Sequence, residues 1–158
     1  MFRSDLREDK GQAFVELALV LPIFILLLVG VAEVGRLAYA SIEVSNAARA
    51  GVAYAAQNHT TAADTNNIKT ATSNDAPEIT SLTPTTSYSC SCESSTGTIT
   101  ALTSCSATNT NLTTCPSPSR ILVDVQVTTT AQVDTIFHFP GIPSTVTLRG
   151  FATMRAEQ

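Results

Sequence analysis

The most uniform hydrophobic stretch of the chain runs from Gly11 to Ala32, directly after a charged leader. Sixteen uncharged residues separate Glu16 from the next charge, Glu33. A helix over Gln12 to Ala32 would be roughly 32 Å long, which matches the hydrocarbon thickness of a bilayer. The pattern leaves no polar face, and the rest of the sequence supplies no core large enough to bury such a helix. We therefore predict a transmembrane helix.

The helical pattern continues without a breaker from Glu33 to Gln57, which predicts one rod of about 45 residues. Small residues recur on one face of its outer half: Leu37, Ala40, Val44, Ala47, Ala48, Gly51 and Ala55. Such a face allows another backbone to approach closely. We expect it to form ordinary domain core, with contact to other chains as the alternative. Glu33 and Arg36, three residues apart, are expected to pair.

Near the C-terminus the period changes from helical to alternating. The segment Ile121 to Val127 places Ile121, Val123, Val125 and Val127 on one face and Leu122, Asp124 and Gln126 on the other. The segment Thr145 to Met154 places Val146, Leu148, Gly150, Ala152 and Met154 inward. Phe139 to Pro143 is predicted to be a turn-rich connector. Two strands need a cover for their apolar face, and the outer half of the long helix is available.

Between His59 and Ser119 the composition changes, since 33 of these 61 residues are Ser, Thr or Asn. Composition alone would permit disorder. Apolar residues nevertheless predict one short helix over Thr61 to Asn74. The β-branched runs Glu78 to Leu82 and Thr98 to Leu102 are predicted to be short strands or loops.

All four cysteines lie in this polar region, at Cys90, Cys92, Cys105 and Cys115. An even number in a Thr/Ser-rich segment predicts two disulfides that hold loops with few apolar residues. Cys90 and Cys92 are too close to bridge each other, which leaves 90–105 with 92–115, or 90–115 with 92–105. A metal site is disfavoured because the spacing fits no usual zinc pattern.

Other chemistry is sparse, and we predict neither an enzyme nor a cofactor. His59 is interpreted as a solvated helix-end residue and His138 as a strand-end residue, because no catalytic motif surrounds either. The net charge of −4 and the lack of a basic patch argue against nucleic acid. The glycosylation patterns at Asn58 and Asn111 are attributed to chance in a Thr-rich chain.

Glu16 requires compensation, because an ionised group at bilayer depth costs about 2.5–3.5 kcal/mol. A glycine, four residues, a glutamate and an apolar run resemble the processing site of type IV prepilins. By that resemblance, a membrane aspartyl peptidase cuts after Gly11 on the cytoplasmic side and Gln12 becomes the N-terminus. Glu16 would then pair with the N-terminal amine of a neighbouring subunit during assembly.

The segment from Gly11 to Ala56, GQAFVELALVLPIFILLLVGVAEVGRLAYASIEVSNAARAGVAYAA, resembles TadE-like proteins, the minor pseudopilins of tight-adherence (Tad) pili. The likeness includes Pro22, the Glu-Val-Gly-Arg step at 33–36, and the C-terminal TLRGFATMRAE. Leu17 departs from major Tad pilins, which usually carry Tyr there, and favours a minor subunit. The resemblance implies an α+β pilin-like fold. It also implies other pilins, a prepilin peptidase, Tad platform proteins and a secretion ATPase as partners.

These observations divide the chain into a cytoplasmic leader (1–11), a transmembrane helix (12–34), an exported helical half (35–57) and an extracytoplasmic domain (58–158). The domain comprises a cysteine loop (85–119) and C-terminal strands (120–156). A secretory signal peptide is disfavoured, because the apolar run is too long and no small-residue cleavage pattern follows it. We expect a single-pass bacterial inner-membrane protein, with a surface pilus as its second location. The alternative is an uncleaved membrane-anchored binding module.

Overall fold

A computed structural model describes residues 8–106, 114–137, 141 and 143–156, with side chains from residue 11 onward. Helix α1 (Glu8–Ala55) is followed by α2 (His59–Ala63), α3 (Thr65–Asp75), β1 (Thr83–Glu93), β2 (Ile99–Ala101), β3 (Arg120–Asp134) and β4 (Thr145–Ala156). The chain forms two compact units, which meet in sequence between Ala38 and Tyr39. His138, the Asn111 glycosylation pattern, most of the 139–143 connector and leader residues 1–7 lie outside the described residues.

The first unit contains the apolar part of α1. Every large hydrophobic side chain from Phe14 to Leu28 is at least 47% exposed, so none of them has a protein core around it. Glu33 and Arg36 form the predicted ion pair, with 2.9 Å between Oε1 and Nη2. The most apolar window has a mean hydropathy of 2.8, and by length and composition this helix can cross a membrane.

The second unit, Tyr39–Gln158, is built on a four-stranded antiparallel sheet of order β2-β1-β3-β4. Val123, Val125 and Val127 of the central strand β3 are fully buried on one face, as their alternation predicted. This strand runs seven residues further than expected, because Thr129 and Ala131 continue the buried alternation. A hydroxyl and a methyl group give too weak a hydropathy signal to reveal that continuation in the sequence.

The outer half of α1 covers the buried face of the sheet. Six of the seven predicted small-face residues are buried there: Ala40, Val44, Ala47, Ala48, Gly51 and Ala55. The domain-core interpretation of this half is therefore confirmed. The remaining residue, Leu37, is half-buried and belongs to the first unit.

Two glycines set how closely α1 approaches the sheet. A Cβ at Gly150 of β4 would collide with the Val44 carbonyl oxygen and crowd the Thr129 hydroxyl. That hydroxyl donates a hydrogen bond of 2.7 Å to the same carbonyl. A Cβ at Gly51 of α1 would collide with the Thr72 hydroxyl of α3. At Gly150 a backbone carbonyl and a hydroxyl group replace the usual layer of side chains between helix and sheet, and at Gly51 a hydroxyl group of α3 takes the place of a side chain.

The single helix predicted over Thr61 to Asn74 is wrong, because two helices occupy this region. Asn58 caps α2 through a hydrogen bond of 3.0 Å from the Thr61 N–H. Asp64 ends α2 and caps α3, accepting a hydrogen bond of 3.1 Å from the Asn67 N–H. That backbone hydrogen bond lowers the pKa of Asp64 below its ordinary value, with a further contribution from the Asn67 side chain. Capping residues thus divide the segment where hydropathy shows no boundary.

Glu78 to Leu82, predicted to be a short strand or a loop, is a loop: this stretch turns, and the strand begins at Thr83. The sequence of β1 is almost entirely Ser, Thr and Cys, with Tyr88 and Cys90 on the core side. It lacks the apolar alternation by which a strand is recognised. The other prediction in this region, at Thr98 to Leu102, is confirmed by β2.

The two predicted disulfides are present as Cys90–Cys105 and Cys92–Cys115, the first of the two pairings left open. Cys90 and Cys92 lie two residues apart on β1 and therefore face the same side of the sheet. Their partners come from the chain that follows β2, with Cα–Cα distances of 5.2 and 5.7 Å. The pairs thus connect one strand to two points of the same polar loop.

Two residues of the predicted faces behave differently from expectation. Leu122, assigned to the polar face, is only 4% exposed. Met154, assigned to the buried face, is 45% exposed because β4 is an edge strand. Alternation predicts the side of the sheet on which a residue lies, whereas burial depends on what covers that side.

Candidate functional site

The predicted processing residues lie on the first turns of α1. Helix α1 begins at Glu8, so Gly11 and Gln12 are helical and not part of an extended leader. Glu16 follows Gln12 at one helical turn, on the same side of the helix. Helical side chains tilt toward the N-terminus, which directs the Glu16 carboxylate toward the Gly11–Gln12 bond. Gln12 and Glu16 thus share one face at the N-terminal end of the helix, and Gly11 directly precedes Gln12 in sequence.

Gly11 has no packing role among the described residues. A Cβ built at this position would meet no atom within 4 Å, and the same holds for Gly30 and Gly35. A glycine in a helix costs about 1 kcal/mol relative to alanine, and the fold here does not require one. Within the described residues, packing therefore gives no reason for a glycine at these three positions.

Glu16 is surrounded by exposed apolar side chains. It is itself exposed, and its neighbours Val15 and Leu17 are 63% and 56% exposed. Both are lipid-compatible surfaces, whereas the carboxylate is not. The described part of the chain offers this group no cation, since no ion pair or hydrogen bond involves it. A partner for its charge has to come from outside the described residues.

The histidine at the start of α2 differs from its interpretation as a solvated residue. His59 is half-buried, and its Nε2 atom is buried without a hydrogen-bond partner. Among residues 8–106, 114–137, 141 and 143–156, no group of three or more His, Cys, Asp or Glu side chains is placed to hold a metal.

The sequence did not single out the face of the sheet that is turned away from the helices, which we call the outer face. Two of its arginines are in ion pairs: Arg155 Nε lies 3.0 Å from Asp124 Oδ1, and Arg120 pairs with Glu93. The ion pair with Asp124 raises the pKa of Arg155. Arg149 lies on the same face and lines a shallow polar groove. The alternation of β3 and β4 contained this signal, since each buried position implies an outward neighbour.

Comparison with known proteins is informative for the N-terminal third of the chain. The model of the TadE-like protein family matches residues 11–63, which include the processing residues, the apolar segment and the small-residue face. Neither the curated proteins nor the solved structures contain a match to this chain. The match supports a pilin-like role related to the Tad pilus, and with the exposed apolar helix it indicates a membrane-anchored protein. Residues 11–63 are thus similar to the TadE-like protein family, as the pattern of the N-terminal residues predicted.

Proposed function

We propose that this protein is a minor pilin-like subunit of a Tad-type pilus, cut after Gly11 by a prepilin peptidase and held in the membrane by residues 12–34. The observation that carries the proposal is the Gly11–Gln12–Glu16 spacing at the head of an exposed apolar helix. Its role would be structural, and its partners would be other pilins, the Tad platform proteins and the secretion ATPase. The similarity of residues 11–63 to the TadE-like family also supports the proposal.

The orientation we propose places the N-terminus in the cytoplasm and residues 58–158 outside. Two disulfides support this orientation, because such bonds persist in oxidising compartments and are rare in the cytosol. The surface chemistry agrees with it: charged residues make up only 14% of the chain, while the Ser, Thr and Asn of the second unit provide a polar exterior.

In the assembled state, Glu16 would neutralise the Gln12 amine of a neighbouring subunit. After cleavage, the amine and the carboxylate would both lie at the start of the apolar segment. There, an unpaired charge of either sign has a high free-energy cost. Pairing between chains would relieve both costs at once and would fix the axial offset between adjacent helices. The lack of a cation for Glu16 within the described residues supports this assignment.

The first test is the N-terminal residue of the protein recovered from its native membranes and from the sheared surface fraction. We expect the chain to begin at Gln12, and the Gly11→Leu variant to keep its leader. Gly30→Leu is the matched control, because a side chain has equal space at both glycines. A start at Met1 with no surface fraction would contradict the proposal and favour the uncleaved binding module.

A second test separates cleavage from assembly. We expect Glu16→Gln to be cleaved normally but to reduce the surface-exposed fraction at least about tenfold, because the neighbouring amine loses its counter-charge in an apolar setting. The readout is immunoblotting of sheared and membrane fractions, with Glu16→Asp as the charge-preserving comparison. Unchanged maturation and piliation in Glu16→Gln would remove this role from Glu16.

A further inference from the structure

Near its β4 edge, the outer face of the sheet carries an arginine, a group of hydroxyls and an aromatic ring. The proposed pilin role uses none of them. Thr83, Thr130 and Arg149 are partners across β1, β3 and β4, and they form one row. The next row consists of Thr85, Thr128 and Phe151. Successive rows are about 6.7 Å apart, because two residues of a strand separate them. Arg149 and Phe151 thus stand side by side on one face.

Arg149 is the arginine of this face that lacks a counter-charge. Arg155 and Arg120 are each paired with a carboxylate of the same face, Asp124 and Glu93 respectively. Within the described residues, no hydrogen bond or ion pair involves the Arg149 guanidinium. A guanidinium presents a planar fork of donors that matches a carboxylate. This position therefore offers a carboxylate a binding partner that the chain itself does not supply.

Hydroxyl and amide groups surround that guanidinium. The polar residues that line the groove are Ser81, Thr83, Thr130, Gln132, Thr147 and Arg149, and Ala131 completes the lining. Several of the hydroxyls donate to backbone carbonyls, as Ser81 does to Gln132 at 2.7 Å. The Ser81 oxygen also accepts a hydrogen bond of 3.1 Å from the Gln132 N–H, which leaves it one further lone pair. Groups of this kind suit a ligand with many hydroxyls of its own.

Phe151 adds an apolar platform to an otherwise polar surface. Its side chain is 62% exposed, although burial of a phenylalanine would normally stabilise the fold. An aromatic ring of this kind can stack against the C–H face of a sugar ring, while the neighbouring hydroxyls bind the ring's edge. An acidic peptide would use the arginine but would have no need of the combination of ring and hydroxyls.

We propose that the strip formed by Arg149, Phe151 and the groove hydroxyls binds an acidic polysaccharide whose sugar rings carry carboxylates. Arg149 binds the carboxylate, Phe151 stacks on an adjacent ring, and the Thr and Gln side chains bind its hydroxyls. The chain as a whole has a net charge of −4, which opposes non-specific attraction of polyanions. Binding therefore depends on this local site and not on overall charge.

The test uses the full chain in nanodiscs of neutral phosphatidylcholine and measures Kd by calorimetry. The probe is an oligogalacturonate, its methyl ester serves as the uncharged analogue, and poly-L-glutamate supplies carboxylates without sugar rings. We expect binding of the oligogalacturonate only. Arg149→Gln should weaken it at least about tenfold, and Phe151→Thr roughly threefold to tenfold. Arg49→Gln, on the exposed face of α1, is the control and should leave the Kd unchanged.

The proposal would be overturned by no binding of oligogalacturonate to the wild type, by equal binding of the methyl ester, or by equal weakening in Arg49→Gln. Equal binding of poly-L-glutamate would also overturn it, in favour of an acidic peptide ligand. A circular dichroism spectrum of each variant checks that the sheet is intact. The measurement requires neither cleavage nor polymerisation, so its outcome is independent of the pilin proposal.

Discussion

Replacing Gly150 by alanine should lower the free energy of unfolding of the second unit by about 2–4 kcal/mol. The new methyl group would occupy the space now filled by the Val44 carbonyl oxygen of α1 and the Thr129 hydroxyl. Neither obstacle can move freely, because one is helix backbone and the other is fully buried and hydrogen-bonded to it. The helix must therefore lift from the sheet, and the hydrogen bond between Thr129 and Val44 is lost.

Urea unfolding of the full chain in detergent would measure this effect, with the near-ultraviolet circular dichroism of the tyrosines as the signal. Tyr54 and Tyr88 are suitable reporters because both pack against the core of this unit. Thr153→Ala, on the exposed face of the same strand, is the control and should change stability by about 1 kcal/mol at most. Equal losses for the two variants would show that the close approach at Gly150 does not limit stability.

Removing the disulfide Cys90–Cys105 by double alanine substitution should cost about 3 kcal/mol, the chain-entropy value for its 15-residue separation. The structure predicts a further loss in packing, since Cys90 is only 2% exposed and Cys105 packs against the same core. Few other contacts hold the chain after β2 in place. Among its described residues, Leu102 and Cys105 are the partly buried hydrophobic residues that pack against this core.

Removing Cys92–Cys115 instead should cost a similar amount, about 3 kcal/mol for its separation of 23 residues. Urea unfolding would rank the two double variants, and limited proteolysis would show cleavage between β2 and β3 in each. A variant with all four cysteines replaced by alanine is the comparison. Its free energy of unfolding should equal that of the wild type treated with reductant. Stability that does not change on reduction would show that other contacts hold this loop.

The parts of the protein determined by its sequence are those set by long, regular patterns. The apolar run predicts an exposed helix, because no other part of so short a chain can bury it. The small-residue face of α1 and the alternation at Ile121 to Val127 predicted a helix packed on a sheet, since only that arrangement buries both. The segment from Gly11 to Ala56 as a whole predicted the family to which residues 11–63 are similar.

Only the tertiary structure decided the features that depend on neighbours distant in sequence. Strand β1 has no hydropathy signal and exists because β3 supplies its hydrogen bonds. The partners of its two cysteines come from the chain that follows β2, so the disulfide pairing was also decided by the tertiary structure. Met154 is exposed because β4 has a partner on one side only. The surroundings of Arg149 and Phe151 also depend on strand pairing, because the register between strands determines which side chains lie beside an outward-facing residue. Local sequence sets the period of a strand, but strand pairing decides what that strand meets.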